Sequence, residues 1–137
     1  MDYGARITDL QKGLDSLKID ALLITNLTNV RYTTGFSGSN GQVLVTPGRA
    51  VFFSDPRYKA RAADLVRDAD IVIYADKLTD VLATHLDDAK RLGVEGATLT
   101  LAQHEQIATS LDTVELVVTA DAVEDLRRIK EAEETAL

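Results

Sequence analysis

The amino-acid sequence predicts an α/β domain: a mixed, mostly parallel sheet of about six strands with helices on both faces, in three α/β/α layers. Three observations carry this. Short apolar runs such as Ala21-Leu22-Leu23-Ile24 alternate with segments of helical period through most of the 137 residues. That is the pattern of strands buried on both faces and joined by crossover helices. Two runs, 42–46 and 50–54, are separated only by Pro47-Gly48-Arg49, which signals an antiparallel hairpin. The composition, 45% apolar and 27% charged, is that of an ordinary globular domain and too apolar for a disordered chain.

Taken in order, Ile7, Leu10, Leu14 and Leu17 recur at helical spacing among polar residues and predict a helix over 2–17. The first strand is 21–25. Asn26 to Gly41 reads as a long connection with a short turn of helix at best. Strands at 42–46 and 50–54 form the hairpin. Asp55-Pro56 opens the next helix, because aspartate caps orphan amides and proline suits the first turn. Tyr58, Ala62, Leu65 and Val66 give that helix its core face. A strand over 71–75 follows. Leu78, Val81, Leu82 and Leu86 predict a helix over 78–91, and 92–95 is a short strand. Thr100-Leu101-Ala102-Gln103 has the form of a capping box and predicts a helix over 101–111. The last strand is 114–118. Asp121 and Glu124 form a second capping-box candidate, opening a charged helix that meets no stop signal before Leu137. The reading is therefore a domain over 1–121 and a linking helix over 122–137, in a piece of a longer chain. The helix beyond about Glu131 is expected to be poorly ordered in a monomer, since it offers little to pack.

Charge and composition exclude several functions. The net charge of −7 disfavours nucleic acid and anionic membrane surfaces, which need a basic face. Without cysteine there is no disulfide, thiol nucleophile or cysteine-based zinc site. The apolar runs are far shorter than the roughly 20 residues of a membrane span, and the polar start does not resemble a signal peptide. The expected location is the cytoplasm.

Candidate chemistry is sparse. His104-Glu105-Gln106-Ile107-Ala108 begins like the zinc motif H-E-x-x-H, but alanine stands where the second histidine is needed. His85, the other histidine, lies near Asp80, Asp87 and Asp88 and reads as surface charge. None of the serines at 16, 37, 39, 54 and 110 sits in a G-x-S-x-G elbow. Gly35-Phe36-Ser37-Gly38-Ser39-Asn40-Gly41 precedes a strand rather than a helix and lacks a following Gly-Lys-Ser/Thr, so a phosphate cradle is a weak reading. It reads as a turn into the strand at 42–46, with Phe36 plugging the core beneath it, or as a polar loop offering one exposed aromatic, Phe36, to a partner. Asn26-Leu27-Thr28 matches a glycosylation sequon but lacks a secretory context. In Asp55-Pro56-Arg57-Tyr58 the structural reading prevails: Asp55 caps, Tyr58 packs and Arg57 pairs with a carboxylate.

The order of several segments resembles the amino-terminal domain of the creatinase/prolidase family, the Xaa-Pro dipeptidases and aminopeptidases. The residues are Ile19-Asp20-Ala21-Leu22-Leu23-Ile24, then Asn29-Val30-Arg31-Tyr32-Thr33-Thr34-Gly35-Phe36-Ser37-Gly38-Ser39. Phe53-Ser54-Asp55-Pro56-Arg57-Tyr58, Gly93-Val94-Glu95-Gly96 and Val123-Glu124-Asp125-Leu126-Arg127-Arg128-Ile129-Lys130 follow in that order. The resemblance implies a ribonuclease-H-like three-layer domain. It implies a parent whose pita-bread catalytic domain holds two divalent metal ions (Mn, Co or Zn) on two Asp, one His and two Glu and hydrolyses bonds next to proline. No residue of this chain matches a metal ligand or a catalytic residue, so the domain alone is expected to be inactive. Its implied partners are its own C-terminal catalytic domain, a second subunit in a homodimer, and short proline-containing peptides. Phe36, Ser37, Ser39 and Asn40 are then implied to form a loop facing the substrate of the other subunit. Two related readings are a creatinase-like amidinohydrolase and a protein-binding module of the histone-chaperone type.

Overall fold

In the computed structural model the backbone is described for residues 2–136 and the side chains for residues 2–129. Six strands form one sheet: β1 (Ala21–Ile24), β2 (Gln42–Thr46), β3 (Arg49–Ser54), β4 (Asp70–Ile73), β5 (Arg91–Glu95) and β6 (Glu115–Thr119). Their order is β4-β3-β2-β1-β5-β6. β1 runs parallel to β5, β5 to β6 and β3 to β4, while β2 is antiparallel to both its neighbours. All strands but β2 therefore end on the same edge of the sheet. The α-helices are α1 (Tyr3–Gly13), α2 (Leu27–Thr34), α3 (Lys59–Leu65), α4 (Leu101–Ser110) and α5 (Ala122–Ala136).

Alternate residues of each central strand face opposite layers, as the two-residue period of a strand requires. Leu22, Ile24, Val43, Val45 and Phe52 join a core with α1, α2, α3 and α5 through Leu10, Val30, Ala62 and Val123. Ala21, Leu23, Leu44, Val51 and Phe53 join a second core with α4 and the segment after β4, through Ile107, Leu82 and Leu86. This is the three-layer sheet that the apolar runs predict.

Four expectations are corrected. The connection 26–41 contains a two-turn helix, α2, capped by Asn26 Oδ1 accepting from Thr28 N at 2.9 Å. Thr28, Thr33 and Thr34 are weak helix formers, yet burial of Asn29, Val30, Thr33 and Thr34 holds the helix in place. The helix predicted over 78–91 is two 3-10 turns, Leu78–Asp80 and Leu82–His85. There Asp80 Oδ2 accepts from Lys77 N, and Asp87 at φ 55° reverses the chain. The first helix stops at Gly13 and is followed by turns, with Lys18 in the left-handed region at φ 59°. The helix after Asp55 starts as a 3-10 turn, Pro56–Tyr58, before α3. The last helix begins at Ala122, with Val123 fully buried, and the Asp121 carbonyl accepts from Asp125 N. The side chains of 130–136 and residue Leu137 lie outside the described residues, and so does the expectation about order beyond Glu131.

At the opposite edge Asp20 ties the start of β1 to β5. Its Oδ2 accepts from the Lys90 and Arg91 amides, both at 2.9 Å, and these bonds hold the carboxyl below its usual value. A carboxyl lowered in the folded state stabilises above its unfolded pKa of about 3.9 and loses that contribution as pH falls through the folded value. Asp20→Asn is therefore expected to destabilise the chain at pH 7 and to flatten the acid limb of its stability profile. Urea denaturation from pH 7 to pH 2 checks this.

Candidate functional site

The sequence places its candidate loop between α2 and β2, and the structure shows what holds it. α2 ends at Gly35, which adopts φ 85°, the left-handed conformation that a helix stop demands and glycine adopts without strain. The chain then drives Phe36 inward. Its ring is 1% exposed, 4.7 Å from the Phe52 ring and 5.6 Å edge-on from Tyr58. Phe36 is therefore the loop's anchor in the first core: of its two sequence readings, core plug and exposed aromatic, the structure has the first. The burial also explains the glycine spacing. A Cβ on Gly38 would stand 2.3 Å from Phe36 Cζ, so the chain can wrap over the ring only without a side chain there. Gly38 and Gly41 make room for the Phe36 and Phe52 rings.

Beyond that anchor the loop is polar and tightly bonded. Asn40 is its hub. Its Nδ2 donates to Asp55 Oδ2 at 2.6 Å and to the Tyr74 hydroxyl at 2.9 Å, while its Oδ1 accepts from Gln42 Nε2 at 2.9 Å. The buried Ser54 hydroxyl donates to the Asn40 carbonyl at 2.6 Å. Asp55 Oδ1 caps the following turn by accepting from Arg57 N, and the Arg57 guanidinium closes a two-pronged ion pair on the same carboxylate. The Arg57 side chain and then the Asn40 amide hold the Asp55 carboxyl well below the usual carboxylate range. Ser39 and the Tyr58 hydroxyl share a hydrogen bond, and the Ser39 hydroxyl lowers the Tyr58 phenol. Ser37 and Ser39 are exposed and Asn40 is half-buried. The structure thus brings Ser39 and Asn40 into one network with Asp55, Arg57, Tyr58 and Tyr74, leaving Ser37 outside it. Asp55 has the same pH sign as Asp20: its contribution is present above about pH 4 and lost as pH falls through its lowered pKa. Asp55→Asn is expected to remove that part of the acid-side loss, read by denaturation at pH 7 and pH 3.

A second constellation forms around Glu95. Glu95, 6% exposed at the end of β5, accepts from Thr25 N at 2.6 Å and Asn26 N at 2.8 Å through Oε1. Its Oε2 accepts from Asn29 Nδ2 at 2.6 Å, and the same amide donates to Glu124 at 3.0 Å. One carboxylate thus joins β1, α2 and β5, and Asn29 extends the link to α5. Glu95 and Asn29 both stand in family motifs, but their mutual contact has no local signature, since they lie 66 positions apart.

The described residues do not fit a metal centre. No group of three or more His, Asp or Glu among them could hold an ion. His85 packs edge-on against Phe53, with ring centroids 5.5 Å apart, and His104 stands on a separate element, α4. The two divalent ions implied by the resemblance thus find no ligand set among the described residues. Ser39 pairs with a phenol and Ser54 with a backbone carbonyl, so neither is set against a base. The loop is equipped to position and to bind. Among the described residues, no helix is long and apolar enough to cross a membrane.

Comparison with known proteins agrees with this organisation. Residues 6–129 match the model of the Creatinase/Prolidase N-terminal domain. An uncharacterized peptidase, YqhT, of Bacillus subtilis is 35% identical over 131 residues, which are 94% of this chain and 37% of that protein. The chain therefore spans little more than a third of this curated relative. The crystal structure of the N-terminal domain of cytoplasmic peptidase PepQ from Mycobacterium tuberculosis superposes with a TM-score of 0.82 at 34% identity, covering 89% of this chain and 98% of that one. A Xaa-Pro dipeptidase from Bacillus anthracis gives a TM-score of 0.86 at 31% identity, covering 91% of this chain and 36% of that one. With the motifs, the sheet and these matches in agreement, the chain belongs to the Creatinase/Prolidase N-terminal domain family.

Proposed function

We propose that this chain is the non-catalytic N-terminal domain of a cytoplasmic Xaa-Pro dipeptidase or aminopeptidase. In this reading 1–121 is the domain proper and 122–137 is the helix leading to a catalytic domain that holds two divalent ions. The domain serves dimerisation and narrows the substrate cleft of a second subunit. The observation that supports it is the match along nearly the whole chain to domains of named peptidases. The site geometry adds a role for each loop residue. Phe36 anchors the loop from within, the Asp55–Asn40–Tyr74 network fixes its path, and Ser37 and Ser39 present hydroxyls outward. Such a fixed polar edge can orient a short peptide and exclude a longer one without taking part in bond cleavage.

The test uses the parent enzyme loaded with Mn, Co or Zn. It is expected to cleave Ala-Pro and to sediment as a dimer. Ser39→Ala is expected to raise KM, or loosen length preference, by about three- to tenfold, the worth of one hydrogen bond, with metal content and Tm unchanged. A parent that cleaves no Xaa-Pro peptide with any of the three metals would overturn the reading. Unaltered kinetics in Ser37→Ala and Ser39→Ala would remove the loop's role in it.

A further inference from the structure

A cleft of about 310 Å³ opens between the segment 39–42 and α4. It lies beyond the carboxyl end of β1, at Thr25. From this edge β1 leads into α2 on one face of the sheet and β5 leads into α4 on the other. Open α/β sheets bind ligands in the crevice where such connections part.

The lining is chemically selective. Among the described residues no acid lines the cleft, and Lys77 is the one charged residue there. The Lys77 ammonium has no acidic partner among the described residues. Thr25 lines the cleft, and its hydroxyl is buried without a hydrogen-bond partner. Gln103 gives its Oε1 to the Thr100 amide, which leaves its NH2 group to donate, and Gln106 offers a whole amide. Leu78, Leu99 and Ile107 form the apolar side. One cation, several neutral donors, no acid and an aliphatic wall suit an anion with an aliphatic body. The volume stands at the small end of ligand pockets, which hold molecules from roughly 300 Å³ upward.

We propose that this cleft binds a small aliphatic carboxylate of amino-acid to dipeptide size. Lys77 pairs with the carboxylate, the Gln103 and Gln106 amides bond its polar groups, and Leu78, Leu99 and Ile107 cover its aliphatic part. The choice of a proline dipeptide as probe rests on the peptidase reading; the carboxylate chemistry does not.

The experiment titrates the 137-residue chain with Ala-Pro and with its C-terminal amide, followed by backbone amide NMR shifts. Ala-Pro is expected to produce saturable shifts in 40–42, 77–79 and 103–107. Amidation of the ligand, or Lys77→Ala, is expected to weaken binding about tenfold, as loss of a charge-assisted hydrogen bond does. Lys77 is exposed, so its variant is expected to fold. Absence of saturable shifts at tens of millimolar, or equal binding of acid and amide, would overturn the inference. Hydrolysis by the parent is read separately. Cleavage without binding in this cleft removes the inference alone; binding here with an inert parent removes the peptidase reading alone.

Discussion

Phe36→Ala is expected to lower the unfolding free energy by about 3–5 kcal/mol, the usual cost of emptying a buried phenylalanine site. The ring is 1% exposed and packs against Phe52 and Tyr58, and the chain at Gly38 and Gly41 closes over it. A loop wrapped on a missing ring has nothing to rest on, so Ser39 and Asn40 are expected to lose their fixed positions as well. Urea denaturation measures the stability, and hydrogen exchange at 37–41 measures the loop. A domain of this size is stable by only about 5–15 kcal/mol, so the variant is expected to be marginal at 37 °C. An effect under about 1 kcal/mol, the range of a surface substitution, would contradict the anchor role. Phe36→Leu, which keeps most of the volume, is expected to cost distinctly less.

Glu95→Ala is the second large effect, about 3–4 kcal/mol. Its carboxylate satisfies two backbone amides, of Thr25 and Asn26, and the side-chain amide of the fully buried Asn29. Each buried donor left without an acceptor costs about 1–3 kcal/mol, and water entering the gap recovers part of the sum. Glu95→Gln separates the terms. Its oxygen can still accept from the two backbone amides, while its NH2 group faces the Asn29 NH2 group, donor against donor. It is expected to cost less than the alanine variant and to couple with Asn29→Ala in a double-mutant cycle. Equal losses in the alanine and glutamine variants would show that the contact with Asn29, rather than the backbone pair, dominates.

The strands were legible because their signal is local. A central strand buried on both faces must be apolar at every position, and 21–24, 43–45 and 50–53 are so. The capping box at Thr100 and Gln103 was legible for the same reason: four consecutive residues contain it, and both of its hydrogen bonds form. In Asp55-Pro56-Arg57-Tyr58, cap, ion pair and packing residue all stand where the local chemistry puts them. The family was legible from motif order, and no period or composition would have named it.

Tertiary structure decided what depends on contacts distant in sequence. α2 is a helix of weak helix formers because its buried face meets both sheet and α5. The segment after β4 has helical spacing at Leu82 and Leu86, but it tightens into 3-10 turns under Asp80 and a left-handed Asp87. Phe36, amid glycines and serines, could be exposed or core by local composition; its burial follows from Phe52 and Tyr58 arriving from other elements. Asn40 was singled out from the loop alone, yet its partners Asp55 and Tyr74 lie 15 and 34 residues away. The amino-acid sequence by itself determined which residues must be buried and where hydrogen-bonded turns can start, because hydrophobic periodicity and capping act over a few residues. Which buried side chains meet, and which polar groups converge on one edge, required the sheet to assemble, because those energies exist only between segments that folding brings together.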